Sequence, residues 1–378
     1  MNIYKNYSID RVQSQGNGRV AVCLILPKNS AIVFLRVLYF FEGGDIIVAV
    51  KERIQKWDIL KFVLIFFVVF GHIGDQLKGT TGLFIFIYSF HMPLFIFVSG
   101  LFSKKTINEK RYDKIFSYFV LYLFIKVLEF FTDAIFDHSF RFSLFTENGL
   151  PWYAFILFVF CLITTFLKNI DPKYVFTVSL CIALLSGYDN SLNTFLMMSR
   201  ICVFFPFFYA GYVLNPDTVA KTLNKKWIKI VSVAGILAYI VIIYFCLDDL
   251  KLFGNLLSGQ NPYSTLKFYP DYGFFYRLVY YIIAACLCAM IISLIPDKLG
   301  KGTLARLGGR SVQIYALHYT FIEILYQVLN IDVYLDSVSP VLTKIVMFPV
   351  AIIIILICSS KIWTPIFDFI LKPKARKQ

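Results

Sequence analysis

Charge is what this sequence has least of. Only 16% of its 378 residues are Asp, Glu, Lys or Arg, where an ordinary soluble domain carries about 25%. A soluble chain of this size would need far more polar surface, so a soluble globular protein, a coiled coil and a disordered tail are excluded. Cysteine chemistry is missing as well. The eight cysteines (23, 161, 181, 202, 246, 286, 288 and 358) lie mostly inside apolar runs. There is no C-x-x-C and no His-paired spacing; Cys286 and Cys288 make only C-x-C. They read as small buried hydrophobes, and no metal site is expected.

What the chain has instead is apolar length. Hydrophobic residues make up 58%, Phe alone occurs 41 times, and the mean hydropathy is +0.71. About 20 apolar residues cross a bilayer, with slack for tilt. Runs of that kind fall at about 58–77, 83–102, 115–131, 151–167, 174–187, 201–214, 228–247, 273–295, 312–329 and 341–358. The expected fold is therefore all-α: a polytopic integral membrane protein of about ten transmembrane helices.

The net charge of +14 is a matter of placement. Counted over alternate connections, Lys and Arg number 22 on one side and 5 on the other. Lys and Arg are retained in the cytoplasm during insertion, which predicts both termini inside and gives the charge a partner in the lipid bilayer. Nucleic acid is not needed to explain it.

Three segments are expected: residues 1–50, residues 51–360 as the membrane domain, and a basic cytoplasmic tail at 361–378. The first fits poorly. Its apolar stretch 31–41 is short and interrupted by Arg36, so it is neither a span nor a signal peptide. Glu42-Gly43-Gly44-Asp45 back-translates to a ribosome-binding sequence just upstream of Val48 and Val50. The expectation is an over-long gene product whose native start lies near residue 48.

Ionisable groups within the spans carry the chemistry. Lys61 and His72 are eleven residues apart, three helical turns plus about 20°, so they share one face about 16 Å apart along the axis. Asp58 stands one turn before Lys61 and can pair with it. Such groups cost roughly 2.5–3.5 kcal/mol each to insert and usually face a bundle interior or wet cavity. Lys61 either does so or snorkels to the headgroups. In the next run His91 precedes Pro93, which leaves a carbonyl in need of a partner. A short connection would bring His72 and His91 to similar depth.

These residues resemble a family. Asp58-x-x-Lys61-x10-His72, Phe90-His-Met-Pro-Leu-Phe with Ser99-Gly100, and Pro151-Trp152-Tyr153 are similar to the acyltransferase-three family of integral membrane proteins. The branch they look most like is that of the fucose 4-O-acetylases. Ser199-Arg200 through Pro206, Gly211-Tyr212, Arg277, Leu307-Gly-Gly-Arg310-Ser311 and Ile314-Tyr315-Ala-Leu-His318 extend the resemblance over about residues 53–360. Many members have Arg where this chain has Lys61.

The resemblance implies transfer of an acyl group, usually acetyl, from cytoplasmic acyl-CoA (typically acetyl-CoA, a substrate and not a bound cofactor). The acceptor is a carbohydrate hydroxyl on a cell-surface glycan or its lipid-linked precursor, and the location the cell membrane. A neutral imidazole can take the proton of an attacking hydroxyl, so His72 is the expected base, with Lys61, Asp58 and His91 as further catalytic candidates. Arg200, Arg277, Trp152 and His318 are candidates for substrate binding. Arg111, Lys114 and Arg310 are candidates for the donor phosphates, although topology alone also demands basic residues there. The loop 248–272, with Tyr263, Phe268, Tyr269 and Tyr272, touches acceptor or anchors at the interface. The competing class is a transporter or flippase for a glycan or lipid-linked sugar, since intramembrane charges also mark transport routes. The lack of an apparent repeat between the halves disfavours it.

Overall fold

Apolar runs in a bilayer must satisfy their own backbone hydrogen bonds, and helices do so within one segment. The computed structural model describes residues 8–11, 20–25, 36–40 and 46–50, and then 55–371 apart from 76, 137, 139, 141, 147–148, 193–194, 267–268 and 300–301. The Glu42–Asp45 stretch, Arg141, Phe268 and the end of the basic tail lie outside the described residues. The chain divides into two units, residues 1–55 and 56–378.

The first unit departs from the all-α expectation. Four strands, β1 (Ser8–Arg11), β2 (Val20–Ile25), β3 (Arg36–Phe40) and β4 (Ile46–Val50), pair in chain order as an antiparallel meander. Short segments rich in Val, Ile, Tyr and Phe suit a pleated sheet and are too brief to span.

Every described element of the second unit is helical. The succession is α1 (Lys56–Gly74), α2 (Thr81–Tyr88), α3 (His91–Asn108), α4 (Tyr112–Phe136), α5 (Trp152–Leu167), α6 (Pro172–Leu185), α7 (Met198–Val213), α8 (Pro216–Leu223) and α9 (Lys226–Phe245). Then come α10 (Leu247–Leu252), α11 (Gly254–Leu257), α12 (Gly273–Leu294), α13 (Thr303–Gly308), α14 (Ser311–Glu323), α15 (Ile331–Asp336), α16 (Pro340–Cys358) and α17 (Thr364–Leu371). Among the described residues, each of the ten apolar runs falls largely in helix. Among the described residues five helical stretches are long and apolar enough to cross a membrane: 56–74, 81–108, 226–245, 270–294 and 340–371. Three shorter apolar helices accompany them at 152–167, 172–188 and 198–213. α9 buries only 11% of its apolar window, leaving Ile230, Leu237 and Tyr244 exposed as a lipid-facing surface needs.

Two expected helices are corrected. The run 83–102 is not continuous; it breaks between α2 and α3 at Ser89 and Phe90. Pro93 has no N–H to return to the Ser89 carbonyl, so the ladder fails there. The run 58–77 stops at Gly74, which places His72 in the last turn of α1 rather than deep within it.

Glycine decides how closely the bundle closes. A Cβ on Gly100 would lie 2.0 Å from the Phe208 carbonyl oxygen, and one on Gly211 would lie 2.1 Å from that of Phe97. α3 and α7 therefore meet backbone to backbone, the small-residue contact that membrane helices use in place of a hydrophobic driving force. At the end of α1, Lys56 is fully buried and donates to the Ile295 carbonyl at 2.6 Å, with Asp297 3.6 Å away.

Candidate active site

The last turn of α1 carries two titratable groups that its neighbours hold in place. Nδ1 of His72 lies 3.2 Å from Oδ2 of Asp75. Residues three apart share a helix face, and the pair uses that geometry. A carboxylate oxygen can only accept, so Nδ1 is the ring nitrogen that can offer a hydrogen to it, and Nε2 is the one turned from the carboxylate. Tyr88, at the end of α2, donates its hydroxyl to the same Oδ2 at 2.9 Å.

The helix break built around Pro93 brings in the second imidazole. His91 opens α3, and its Nδ1 donates to the Ile87 carbonyl at 2.8 Å. Its ring packs edge-on against Tyr88 at 4.7 Å. Tyr88 thus links the two histidines through Asp75.

Both histidines line a cavity of about 440 Å³. Its other walls are Met92 from α3, Gly149, Leu150 and Trp152 at the start of α5, Arg200 and Phe204 from α7, Tyr315, Tyr319, Ile322 and Glu323 from α14, and the segment Leu257–Asn261. Lys126 and Glu129 hold the 146–150 loop from α4: Lys126 donates to the Thr146 carbonyl, and Glu129 accepts from the Leu150 N–H. Ser99 meets the Tyr153 hydroxyl at 2.7 Å and ties α3 to α5. A larger groove of about 560 Å³ between α3, α6, α7, α8 and α12 is walled almost wholly by carbon and holds no carboxylate, imidazole or cation. Of the two, the polar cavity is the one lined by imidazoles and carboxylates, groups able to carry a proton.

Arg200 sits on the cavity wall, its guanidinium 4.5 Å over the Trp152 ring. It donates to Oε1 of Gln260 at 2.6 Å and to the Ser258 carbonyl at 3.4 Å. Phe204 stacks against the same indole with centroids 5.6 Å apart. Trp152 is thus engaged by Arg200 and Phe204 in this structure, and it supports the wall.

The remaining candidates lie elsewhere. His318 is fully buried 5.4 Å from the His72 ring, centroid to centroid, but does not line the cavity. Its Nδ1 faces the Tyr315 carbonyl at 2.8 Å, and its Nε2 has no partner among the described residues. Arg277 is also fully buried, donating to the Ala183 and Asn261 carbonyls and to Ser186, with its charge over the Tyr263 ring. It anchors Asn261, which does line the cavity. Tyr263 donates to the Leu184 carbonyl at 2.6 Å, and burial pushes its phenol up to about 12. The long loop therefore reaches the cavity through Ser258, Gln260 and Asn261, while the aromatic residues Tyr269 and Tyr272 point to the exterior.

Lys61 and Asp58 form an ion pair of 2.8 Å at the opposite end of α1, with Lys61 also 5.5 Å from the Phe102 ring. Gly308 permits the approach of α13 there, since a Cβ would lie 1.7 Å from the Asp58 carbonyl oxygen. Arg111 pairs with Asp113 at 3.5 Å, Lys114 is half-buried beside it in α4, and Arg310 donates to the Ser359 carbonyl. With Gln313, which donates to the Cys358 and Ser360 carbonyls, Arg310 caps the end of α16.

Asp75, Tyr88, Gln260 and Glu323 were not singled out in the sequence. Asp75 had a signal, the same i,i+3 spacing that pairs Asp58 with Lys61. Tyr88 and Gln260 had none, because their role depends on a helix break and a loop. Among the described residues no cluster suited to a metal ion occurs.

No curated protein and no solved structure is similar enough to the chain to be matched. A family model does match, that of the acyltransferase domain of the acyltransferase-3 family, over residues 54–361. It favours group transfer and gives transport no support. An imidazole–carboxylate pair facing a polar cavity, in a bundle with several membrane-length helices, is consistent with that match, and over most of its length the chain belongs to the acyltransferase-3 family of membrane acyltransferases.

Proposed function

We propose that the protein transfers an acetyl group from cytoplasmic acetyl-CoA to a hydroxyl of a cell-surface glycan or its lipid-linked precursor, at the cell membrane. The observation that carries the reading is the His72–Asp75 pair at 3.2 Å on the wall of a polar cavity. Asp75 holds the ring with hydrogen on Nδ1, and Nε2 takes the proton of the acceptor hydroxyl as its oxygen attacks the thioester carbonyl. The carbon–sulfur bond breaks, and the proton on Nε2 passes to the departing thiolate. Products are the O-acetyl ester and free CoA.

The charge count supports a ten-helix topology with both termini inside. In that topology the cavity opens on the outer side and the Lys61–Asp58 pair faces the cytoplasm, about 16 Å away along α1. The donor's polar arm then passes Lys61, with Arg111, Lys114 and Arg310 near its phosphates.

The test is transfer of labelled acetyl from acetyl-CoA in membranes. Wild-type protein labels glycan, and His72→Ala at matched protein level does not. Glycans from a deletion strain should lose an acetyl mass increment. Near-normal labelling by His72→Ala rejects the base, and a fatal His91→Ala beside a mild His72→Ala transfers the role to His91.

A further inference from the structure

The turn that carries His72 and Asp75 is a helix end, and helix ends leave carbonyls without intrahelical donors. Within α1 the Asp75 N–H returns to Gly71, and the Leu77 N–H to Gly74. The Gly74 carbonyl also accepts from Oγ1 of Thr80 at 2.8 Å. The Ile73 carbonyl, between the two active residues, is met from another helix: the hydroxyl of buried Tyr326 donates to it.

Tyr326 occupies an unusual backbone. Directly after Glu323 the helix opens into a π-turn over Ile324–Val328. Such turns are mostly single insertions in α-helices and occur often at functional sites. Here one helix sends Glu323 to the cavity wall and, three residues on, Tyr326 to the backbone of α1.

We infer that Tyr326 is a positioning residue: its hydroxyl, delivered by the π-turn, holds the last turn of α1 so that His72 and Asp75 keep their 3.2 Å contact. The inference rests on the proposed role of His72 as base. Removing the hydroxyl leaves a buried carbonyl without that donor and frees the turn to shift. A displacement of about 1 Å in reacting groups can cost about 10²-fold in rate.

Tyr326→Phe keeps the ring and its packing. In labelled acetyl transfer its kcat should fall about 10-fold or more, with KM for acetyl-CoA within about twofold of wild type. Because Tyr326 acts through the pair, Tyr326→Phe added to Asp75→Asn should cost little beyond Asp75→Asn alone. A second readout needs no activity. Diethyl pyrocarbonate modification of His72, followed by mass spectrometry, should speed up several-fold in Tyr326→Phe, while exposed His138 reacts at an unchanged rate. Unchanged His72 reactivity, or full additivity with Asp75→Asn, overturns the inference. If wild-type protein transfers no acetyl group, the proposed function fails, and the reactivity of His72 still decides the role of Tyr326.

Discussion

Oδ2 of Asp75 is approached from two sides at once: Nδ1 of His72 lies 3.2 Å from it, and the Tyr88 hydroxyl donates to it at 2.9 Å. The carboxylate is thereby fixed between the end of α1 and the end of α2, and the imidazole is fixed by the carboxylate. In the proposed reaction, a base held in one orientation needs no reorganisation when the hydroxyl arrives.

Asp75→Asn preserves shape but can offer an amide hydrogen to Nδ1, which favours the wrong tautomer of His72. Acetyl transfer should fall about 10²-fold or more in kcat with little change in KM for the donor. Steady-state kinetics in membranes with equal protein levels give the answer, and a loss below twofold removes Asp75 from the mechanism.

Lys61 tests the inner end of α1. Its ion pair with Asp58 is short and only partly exposed. Lys61→Gln should lose most transfer, and Lys61→Arg should keep part, because the charge survives while its hydrogen-bond geometry changes. Adding Asp58→Asn to Lys61→Gln separates two roles. Continued inactivity is expected if Lys61 meets the donor; recovery would assign it to pairing Asp58 alone. Normal acetylation by Lys61→Gln takes Lys61 out of the site.

Arg200 tests the cavity wall. Its planar fork reaches Gln260 and Ser258 while lying on Trp152, and an ammonium cannot do all three. Arg200→Lys should raise the acceptor KM about 10-fold and leave the acetyl-CoA KM unchanged. Equal changes in both would mean that Arg200 supports the bundle and not the acceptor side of the cavity.

Gly100 tests packing apart from chemistry. In Gly100→Ala the new methyl meets the Phe208 carbonyl, so α3 and α7 must separate; overpacking typically costs about 1–3 kcal/mol, occasionally more. Thermal stability in detergent should drop measurably. Gly254→Ala is the control, because nothing lies within 4 Å of its Cβ position.

Much of the site was legible in one dimension, and the reason is periodicity. A separation of eleven positions puts Lys61 and His72 on one face, and one of three makes Asp58 and Lys61 an ion pair, because helix geometry alone relates them. His91 was found through its proline. The same rule applied to His72 would have reached Asp75. Arg277, a substrate-binding candidate in the sequence, is fully buried and donates to the Asn261 carbonyl. Spacing says which face a side chain takes and nothing about which other helix covers that face.

What the sequence determined by itself is the membrane class, the helical runs and the family, since each depends on composition or on short motifs along single helices. Tertiary structure alone decided the rest. It turned His91, beside the break that Pro93 makes, toward the cavity of His72. It placed Gln260 against Arg200 across 60 positions and Tyr326 against Ile73 across 253. Contacts of that range are made by packing and backbone hydrogen bonding between separate helices, and no local pattern encodes which carbonyl a distant hydroxyl will find.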